Sequence, residues 1–451
     1  MKQVTRNRKL GMITAAAIAL SACGGGGSDN DPPQPSPVVT EPPVTDRFAP
    51  LPAVEADPAF PTEYARQLAA ATKNAGGDQV LLDTWQKYYC MYPENNQVLR
   101  QSVRDDDARL PVTQIFDDVW YVGSRYVGQY VFKSSTGFML LDALNNAAEV
   151  QQYDVPVLAA LGVSASLPVR DLLLTHGHGD HDGGALEIKT TYNPRVILGS
   201  ADAAGKPYAP FVIDSNDLNP IRMTLGGRNV TLLSTPGHTP GSITSFIPAV
   251  DKGKEQRLMV VGGSAMPSTV GQARSYLDGV ERSYKIAKEE NVTGTVHPHP
   301  IFDGSQRNMV AINATGMPAA NPFVVGNSKV LRATAILRQC SAANVVKVDA
   351  TAVVPVWRVT KVELPTDGPR VNDISARLSS PWGAIVNQSV TFKGSASGKS
   401  CNAVTNDGGI ARCSAVQGFT KDDTVTATFD GAAGTGFIEL ASSASAAMQA
   451  N

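Results

Sequence analysis

Almost no net charge is left over in this chain: 39 Lys and Arg stand against 41 Asp and Glu, giving −2 at pH 7 and a pI near 6.3. That balance removes the electrostatic case for a nucleic-acid partner or an anionic membrane surface, and no basic patch with interleaved aromatics restores it. Long apolar runs are missing as well. Beyond the first two dozen residues none reaches spanning length, which excludes an integral membrane protein. Cysteine is scarce, at five in 451 residues, and histidine hardly less so, at six. Scarcity makes placement informative: all six histidines fall between His176 and His299.

Three of the six sit in Thr175-His176-Gly177-His178-Gly179-Asp180-His181-Asp182-Gly183-Gly184-Ala185. The apolar run 169–174 before it reads as a short strand, and the Gly-rich motif breaks that strand before a helix begins near Gly184. The histidines are therefore expected on a strand-to-helix loop. His176 and His178 are two apart on extended backbone, so both rings can point to one side, whereas adjacent Asp180 and His181 must diverge. That geometry suits two metal ions side by side. Imidazole plus carboxylate with no Cys nearby is a donor set for Zn²⁺ first and Fe or Mn second. A lone His would more often be a merely solvated turn residue, but the clustering continues with His238 in Pro236-Gly237-His238-Thr239-Pro240-Gly241 and with His297-Pro298-His299-Pro300.

Taken together, His176-x-His178-x-Asp180-His181, Pro236-Gly237-His238-Thr239-Pro240-Gly241 and a distal His before Pro300 resemble the metallo-β-lactamase superfamily of dinuclear zinc hydrolases, over roughly residues 114–343. One departure helps place the chain. Where most hydrolases of that superfamily carry a metal-bridging Asp at a strand end, the run 258–263 here ends in Ser264, as in the Cys-free, all-His subclass of metallo-β-lactamases and its relatives. Trp120-Tyr121-Val122-Gly123-Ser124 and His299-Pro300-Ile301-Phe302-Asp303-Gly304 resemble that branch too. The resemblance implies two Zn²⁺ per chain, the first held by His176, His178 and His238 and the second by Asp180, His181 and His299. It also implies a metal-bound hydroxide that attacks the carbonyl of a small-molecule amide or ester, a β-lactam among the candidates, with Asp180 and Ser264 as catalytic residues. Asp142, Asp182, Thr239 and Ser264 are the polar candidates for holding the outer ring nitrogens, and Asp142 resembles the family's buried Asp beneath the metals. Of the two distal histidines, His299 is expected as the ligand. Pro298 ends regular pairing after the strand, and prolines on both sides restrict His299.

In chain order, Lys2, Arg6, Arg8 and Lys9 precede an apolar stretch, 10–20, too short to span, followed by Leu20-Ser21-Ala22-Cys23-Gly24. This reads as a secretion signal and resembles the lipobox of bacterial lipoproteins. Residues 1–23 would then be the lipoprotein signal peptide and lipobox, with Cys23 becoming the lipidated first residue and tethering the protein to a membrane in the periplasm or at the outer membrane. Residues 24–57, rich in Gly, Pro, Ser, Asp and Thr, read as a disordered tether. Helices are expected at 61–68 and 80–89, then short strands at 115–116, 119–122, 130–132 and 138–141. Alternation follows, with helices at 147–161, 185–191, 270–290 and 329–343 and strands at 195–198, 230–233 and 292–296. With the resemblance, 58–345 is expected to form an α/β fold, an αββα sandwich. Residues 346–440 read as a small all-β module that resembles an immunoglobulin-like domain, and 441–451 as a frayed tail. Setting Cys23 aside leaves four cysteines. Cys401 is expected to bridge to Cys413 across a hairpin, and Cys90 to Cys340.

The substrate stays open, because the same motif serves lactonases, thioesterases and phosphodiesterases. A reading from another class also stands: a non-catalytic surface-binding lipoprotein in which the β module does the work.

Overall fold

The computed structural model describes residues 47–54, 57–90, 108–414 and 418–449. Cys23, the expected signal and most of the expected tether lie outside them. Two sheets dominate the first part. The seven-stranded sheet runs in chain order: β1 (Thr113–Phe116), β2 (Val119–Gly123), β3 (Gly128–Lys133), β4 (Phe138–Leu141), β5 (Val169–Leu173), β6 (Arg195–Gly199) and β7 (Phe211–Ile213). Its first four strands form an antiparallel meander, and β4 to β7 are parallel. The five-stranded sheet contains β8 (Ile221–Leu225), β9 (Arg228–Ser234), β10 (Ile243–Asp251), β11 (Lys254–Val260) and β12 (Gly294–Thr295) in the order β12-β11-β10-β9-β8.

Strand alternation sorts the side chains into layers. Ile115, Tyr121, Tyr130, Phe132, Leu141 and Leu173 meet Leu232, Ile243, Ile247, Leu258 and Val260 in a core between the two sheets. The opposite faces are covered by helices. Val131, Leu140, Leu172 and Val196 pack against the helical run Ala147–Glu149 to Val155–Ala160 and against Ala185–Tyr192. Leu233, Phe246, Met259 and Val261 pack against Glu63–Asn74, Leu82–Cys90, Val270–Glu289 and Asn327–Val348. This is the expected αββα sandwich. Burying each such Leu, Ile or Phe contributes about 1.5–3 kcal/mol, so the layers are held chiefly by this sorting. Local signals agree with it: Thr62 Oγ1 accepts from Ala65 N (3.1 Å) and Thr269 Oγ1 from Gln272 N (3.4 Å), each capping a helix start. The expected strand 292–296 is shorter than its pattern. Only Gly294–Thr295 pairs, alongside Leu258 and Met259, because the chain turns into the His-Pro-His-Pro segment directly afterwards.

After Val348 the structure is all β. One sheet pairs Lys361–Glu363, Asp373–Ser380, Gly383–Ala384 and Ile410–Ser414. Another pairs Ser400–Val404, Ser389–Gly394, Thr424–Phe429 and Ser442–Ala447. Ile374, Leu378, Val390, Phe392, Val425 and Phe429 form the core between them. A third, small sheet, Val356–Arg358 with Phe437–Glu439 and Ala432–Gly434, faces the helices of the first part. There Trp357 meets Tyr284 edge to face (5.1 Å), lies under the Arg338 guanidinium (4.9 Å), and accepts at its carbonyl from Asn74 Nδ2 (2.8 Å).

Both ends of the described chain correct the sequence reading. Residues 441–451 do not fray from their start, since Ser442–Ala447 pairs in register with Thr424–Phe429; the Ala-Ser alternation is a strand pattern made of small side chains. At the other end, the expected tether is docked at residues 47–49. Arg47 donates to Asp367 (2.9 Å) and to the Gly368 carbonyl (2.6 Å) and pairs with Asp373, while Phe48 is buried beneath Arg377. Composition favours disorder here, but an Arg with two carboxylate partners and a buried Phe outweigh it. Cys90 is bridged to Cys340 and Cys401 to Cys413. Among the described residues no helix is long and apolar enough to cross a membrane.

Candidate metal centre

The strand β5 delivers Thr175 to a loop whose backbone is still extended at His178 (φ −80°, ψ 148°) and then closes into the helical turn Gly179–Asp182. Both His181 N and Asp182 N donate to the His178 carbonyl at 2.9 Å, which turns Asp180 and His181 away from the preceding pair. His238 arrives from the loop after β9, and His299 from the loop after β12. Six side chains thus converge from three loops at one end of the sandwich, the usual place for a site carried by packed α/β layers.

They form two groups. His176 Nε2 lies 3.1 Å from His178 Nδ1 and 3.1 Å from His238 Nε2. His181 Nε2 lies 3.1 Å from His299 Nε2, and Asp180 Oδ2 lies 3.6 and 3.4 Å from those two nitrogens. Each trio offers donor atoms within 4.8 Å of one another, as a metal ion requires.

The outer nitrogens show that these are not ordinary hydrogen bonds. His181 Nδ1 faces Asp142 Oδ2 (2.7 Å), His238 Nδ1 the Ala265 carbonyl (3.0 Å) and His299 Nδ1 the Tyr126 carbonyl (2.9 Å). In neutral rings the proton then sits on the outer nitrogen, so the inner Nε2 atoms present lone pairs to each other. Lone pairs about 3 Å apart repel unless a cation lies between them. Four-coordinate zinc with nitrogen ligands at ~2.0–2.1 Å sets its ligands roughly 3.3 Å apart, close to the spacing seen.

Electrostatics point the same way. Burial, reinforced by the neighbouring imidazoles, holds His176 well below the usual histidine range and brings His238 down to about 4. Both rings therefore keep their lone pairs at neutral pH. Burial would also lower His181, but the charge and hydrogen bond of Asp142 outweigh it and raise that ring. Burial would raise Asp180, but His299 and His181 hold its carboxylate well below the ordinary range.

Not every expected residue is where the sequence implied. Asp142 lies beneath the second group, fully buried with a left-handed backbone (φ 64°), and accepts from Thr175 N (2.7 Å), Thr175 Oγ1 (3.0 Å) and His181. Thr175 in turn contacts His176 Nδ1 (3.1 Å), so one carboxylate braces a ring in each group. Asp182 instead accepts from Tyr208 Oη (2.7 Å) and Lys206 Nζ (2.5 Å), and Thr239 Oγ1 donates to Asp202 (2.6 Å). Ser264 is nearly buried beside Ala265, and among the described residues no hydrogen bond joins it to any of the six. His297 is turned away: its Nδ1 accepts from His299 N (2.8 Å) and its ring stacks on Phe302 (5.3 Å). Sequence reasoning missed the carbonyls of Ala265 and Tyr126, which have no side-chain signal. It also missed Thr175, whose place directly before His176 was a usable one.

Residues 124–251, which span five of the six side chains, match the family model of the Metallo-beta-lactamase superfamily. Hydroxyacylglutathione hydrolase of Yersinia pestis (strain Pestoides F) is 34% identical over 91 residues, 20% of this chain and 34% of that protein. That of Rhodopseudomonas palustris (strain BisB18) is 32% identical over 109 residues, 24% of this chain and 41% of its own. The chain thus spans well under half the length of these curated relatives. Among solved structures, a subclass B3 metallo-beta-lactamase of Bradyrhizobium japonicum is 24% identical over 52% of this chain and 94% of that one, with a TM-score of 0.39. A metallo-beta-lactamase of Cronobacter sakazakii is 21% identical over 52% of this chain and 95% of that one, at 0.42. The chain carries a metallo-β-lactamase superfamily domain, with histidine and carboxylate clusters able to hold metal.

Proposed function

We propose that the protein is a dinuclear zinc hydrolase acting on the amide or ester carbonyl of a small molecule. One observation carries the reading: two three-donor groups lie side by side, and in the pairs His176–His238 and His181–His299, whose outer nitrogens are already engaged, the inner Nε2 lone pairs are crowded to 3.1 Å. His176, His178 and His238 would hold one ion and Asp180, His181 and His299 the other. Bound zinc supplies an acidified water and a Lewis acid for the carbonyl oxygen. The protein's share is positional. Asp142 fixes the tautomer of His181, the carbonyls of Ala265 and Tyr126 fix those of His238 and His299, and partly exposed Asp180 stays ionised where a proton must be taken up. For Ser264 no contact supports the catalytic role that the resemblance implies.

β-Lactams are the first substrates to test. Thioesters come second, because the curated relatives that match part of this chain are named hydroxyacylglutathione hydrolases. Hydrolysis of a chromogenic β-lactam, a lactone, a thioester and a phosphodiester should be followed with and without chelator. Turnover of a carbonyl substrate that chelation abolishes and zinc restores is expected; turnover of the phosphodiester alone, or none with two ions bound, overturns the reading. We also place the enzyme outside the cytosol, tethered through Cys23, a location that the two bridges Cys90–Cys340 and Cys401–Cys413 support. A mature mass without a diacylglyceryl group on Cys23 would refute the tether.

A further inference from the structure

Among the described residues one ligand-type ring has no partner on its outer nitrogen. His176 has Thr175, His181 has Asp142, His238 has Ala265 and His299 has Tyr126, whereas His178, exposed on the loop, has one contact at hydrogen-bond distance, its inner one with His176, besides its edge-to-face packing on His238. Its direction must come from the backbone. The peptide units on either side of Gly177 are gripped from one segment, the short helix Ser200–Asp202 and the turn after it. Asp202 Oδ2 accepts from Gly177 N (2.9 Å), and Lys206 Nζ donates to the Gly177 carbonyl (2.7 Å).

The same carboxylate reaches the second loop of the first group. Asp202 Oδ1 accepts from Gly241 N (2.9 Å) and Oδ2 from Thr239 Oγ1 (2.6 Å), the residues flanking Pro240 just after His238. Approach this close explains two glycines of the motifs. A Cβ on Gly177 would meet Asp202 Cβ at 2.9 Å, and one on Gly241 would meet Asp202 Cγ at 2.5 Å.

We propose that Asp202 is a positioning residue for the first metal group, with Lys206 as its assistant. Through the Gly177 peptides it aims His178, and through Gly241 and Thr239 it fixes the loop of His238. It thereby does through the backbone what a direct acceptor does for the other rings. The proposal rests on the two-ion reading above and adds which residue sets the geometry of one ion.

The test measures zinc dissociation constants by competition with a chromophoric chelator, with each site isolated. His299→Ala leaves the first site to be titrated and His238→Ala the second; into each background go Asp202→Ala, Asp202→Asn and Lys206→Met. Asp202→Ala should weaken the first ion ~10–100-fold, the range for groups that orient ligands, and leave the second within about 3-fold. Asp202→Asn, which keeps one accepting oxygen, and Lys206→Met, which keeps the stem, should fall between. The metal-free melting temperature should move by a few degrees at most in Asp202→Asn, separating aim from folding. Equal weakening of both ions, or of neither, overturns the proposal, and so does a loss in Asp202→Asn that tracks its melting temperature. If Asp202→Ala does not fold, the other two variants decide. A parent protein that binds fewer than two ions removes the two-ion reading instead, a result distinguishable from all of these.

Discussion

Asp142 Oδ2 lies 2.7 Å from His181 Nδ1 although the two residues are 39 positions apart, and Ala143 N donates back to the His181 carbonyl at 2.7 Å. Ring and backbone of one ligand are thus tied to neighbouring links of another strand end. Asp142→Asn keeps the volume but offers a weaker, neutral acceptor, so the second ion should bind ~10–100-fold more weakly. Asp142→Ala should also destabilise the fold by roughly 1–3 kcal/mol or more, because Thr175 N, buried with it, loses its acceptor. Metal titration and thermal melting of the two variants check this, and a second ion bound as tightly as in the parent would falsify it.

The two distal histidines should separate cleanly. His299→Ala should remove the second ion and nearly all turnover. His297→Ala should keep both ions and lose at most ~10–100-fold in rate, since its ring only accepts from the His299 peptide and stacks on Phe302. Elemental analysis showing the second site empty in His297→Ala and filled in His299→Ala would reverse the assignment.

A pH dependence should come from Asp154, far in function from the metals. Burial pushes this carboxyl up to about 8, and Gln129 donates to one of its oxygens while Gln129 Oε1 and Asp154 Oδ2 are both buried without partners. A proton on Oδ2 supplies a donor to that pair of acceptors. The unfolded acid ionises near 3.8 and the folded one near 8, so between those values the folded state holds the extra proton. Stability is therefore fullest below the lower value and falls as pH rises through the window, by up to about 1.4 kcal/mol per unit. Asp154→Asn should flatten that slope in chemical denaturation of the metal-free protein between pH 5 and 8; an unchanged slope would exclude Asp154 as its source.

For the bridges, the unreduced protein should show no free thiol at Cys90, Cys340, Cys401 or Cys413 in a peptide map. Closing a loop with a separation of 250 residues constrains the unfolded chain more than closing one of 12, by about 5 against about 3 kcal/mol in the chain-entropy account. The double variant Cys90→Ala/Cys340→Ala should accordingly lower the melting temperature more than Cys401→Ala/Cys413→Ala. The opposite order would show that local geometry, and not loop closure, sets the contribution.

Much of this was legible in the chain because its signals are periodic or concentrated. The alternation at 119–122 and 130–132 and the helical spacing over 270–290 gave the layers, and six histidines confined to one span led to the two groups. What escaped was decided by partners distant in sequence. Nothing around Arg47 announces Asp367 and Asp373, so its segment read as tether. Alanine and serine near the C-terminus carry too little hydrophobic signal to mark a strand that is held by pairing with Thr424–Phe429. Asp202 was invisible for a related reason: its work is done on backbone N–H groups, which every residue but proline has.

The docking of residues 47–49 also settles how the molecule answers to force. A pull applied from the N-terminal side of Arg47 meets Asp367, Asp373 and Arg377 first, so the load enters the C-terminal β sheets before it reaches the sandwich. Under such a pull those contacts would be loaded ahead of the loops that carry His176, His238 and His299.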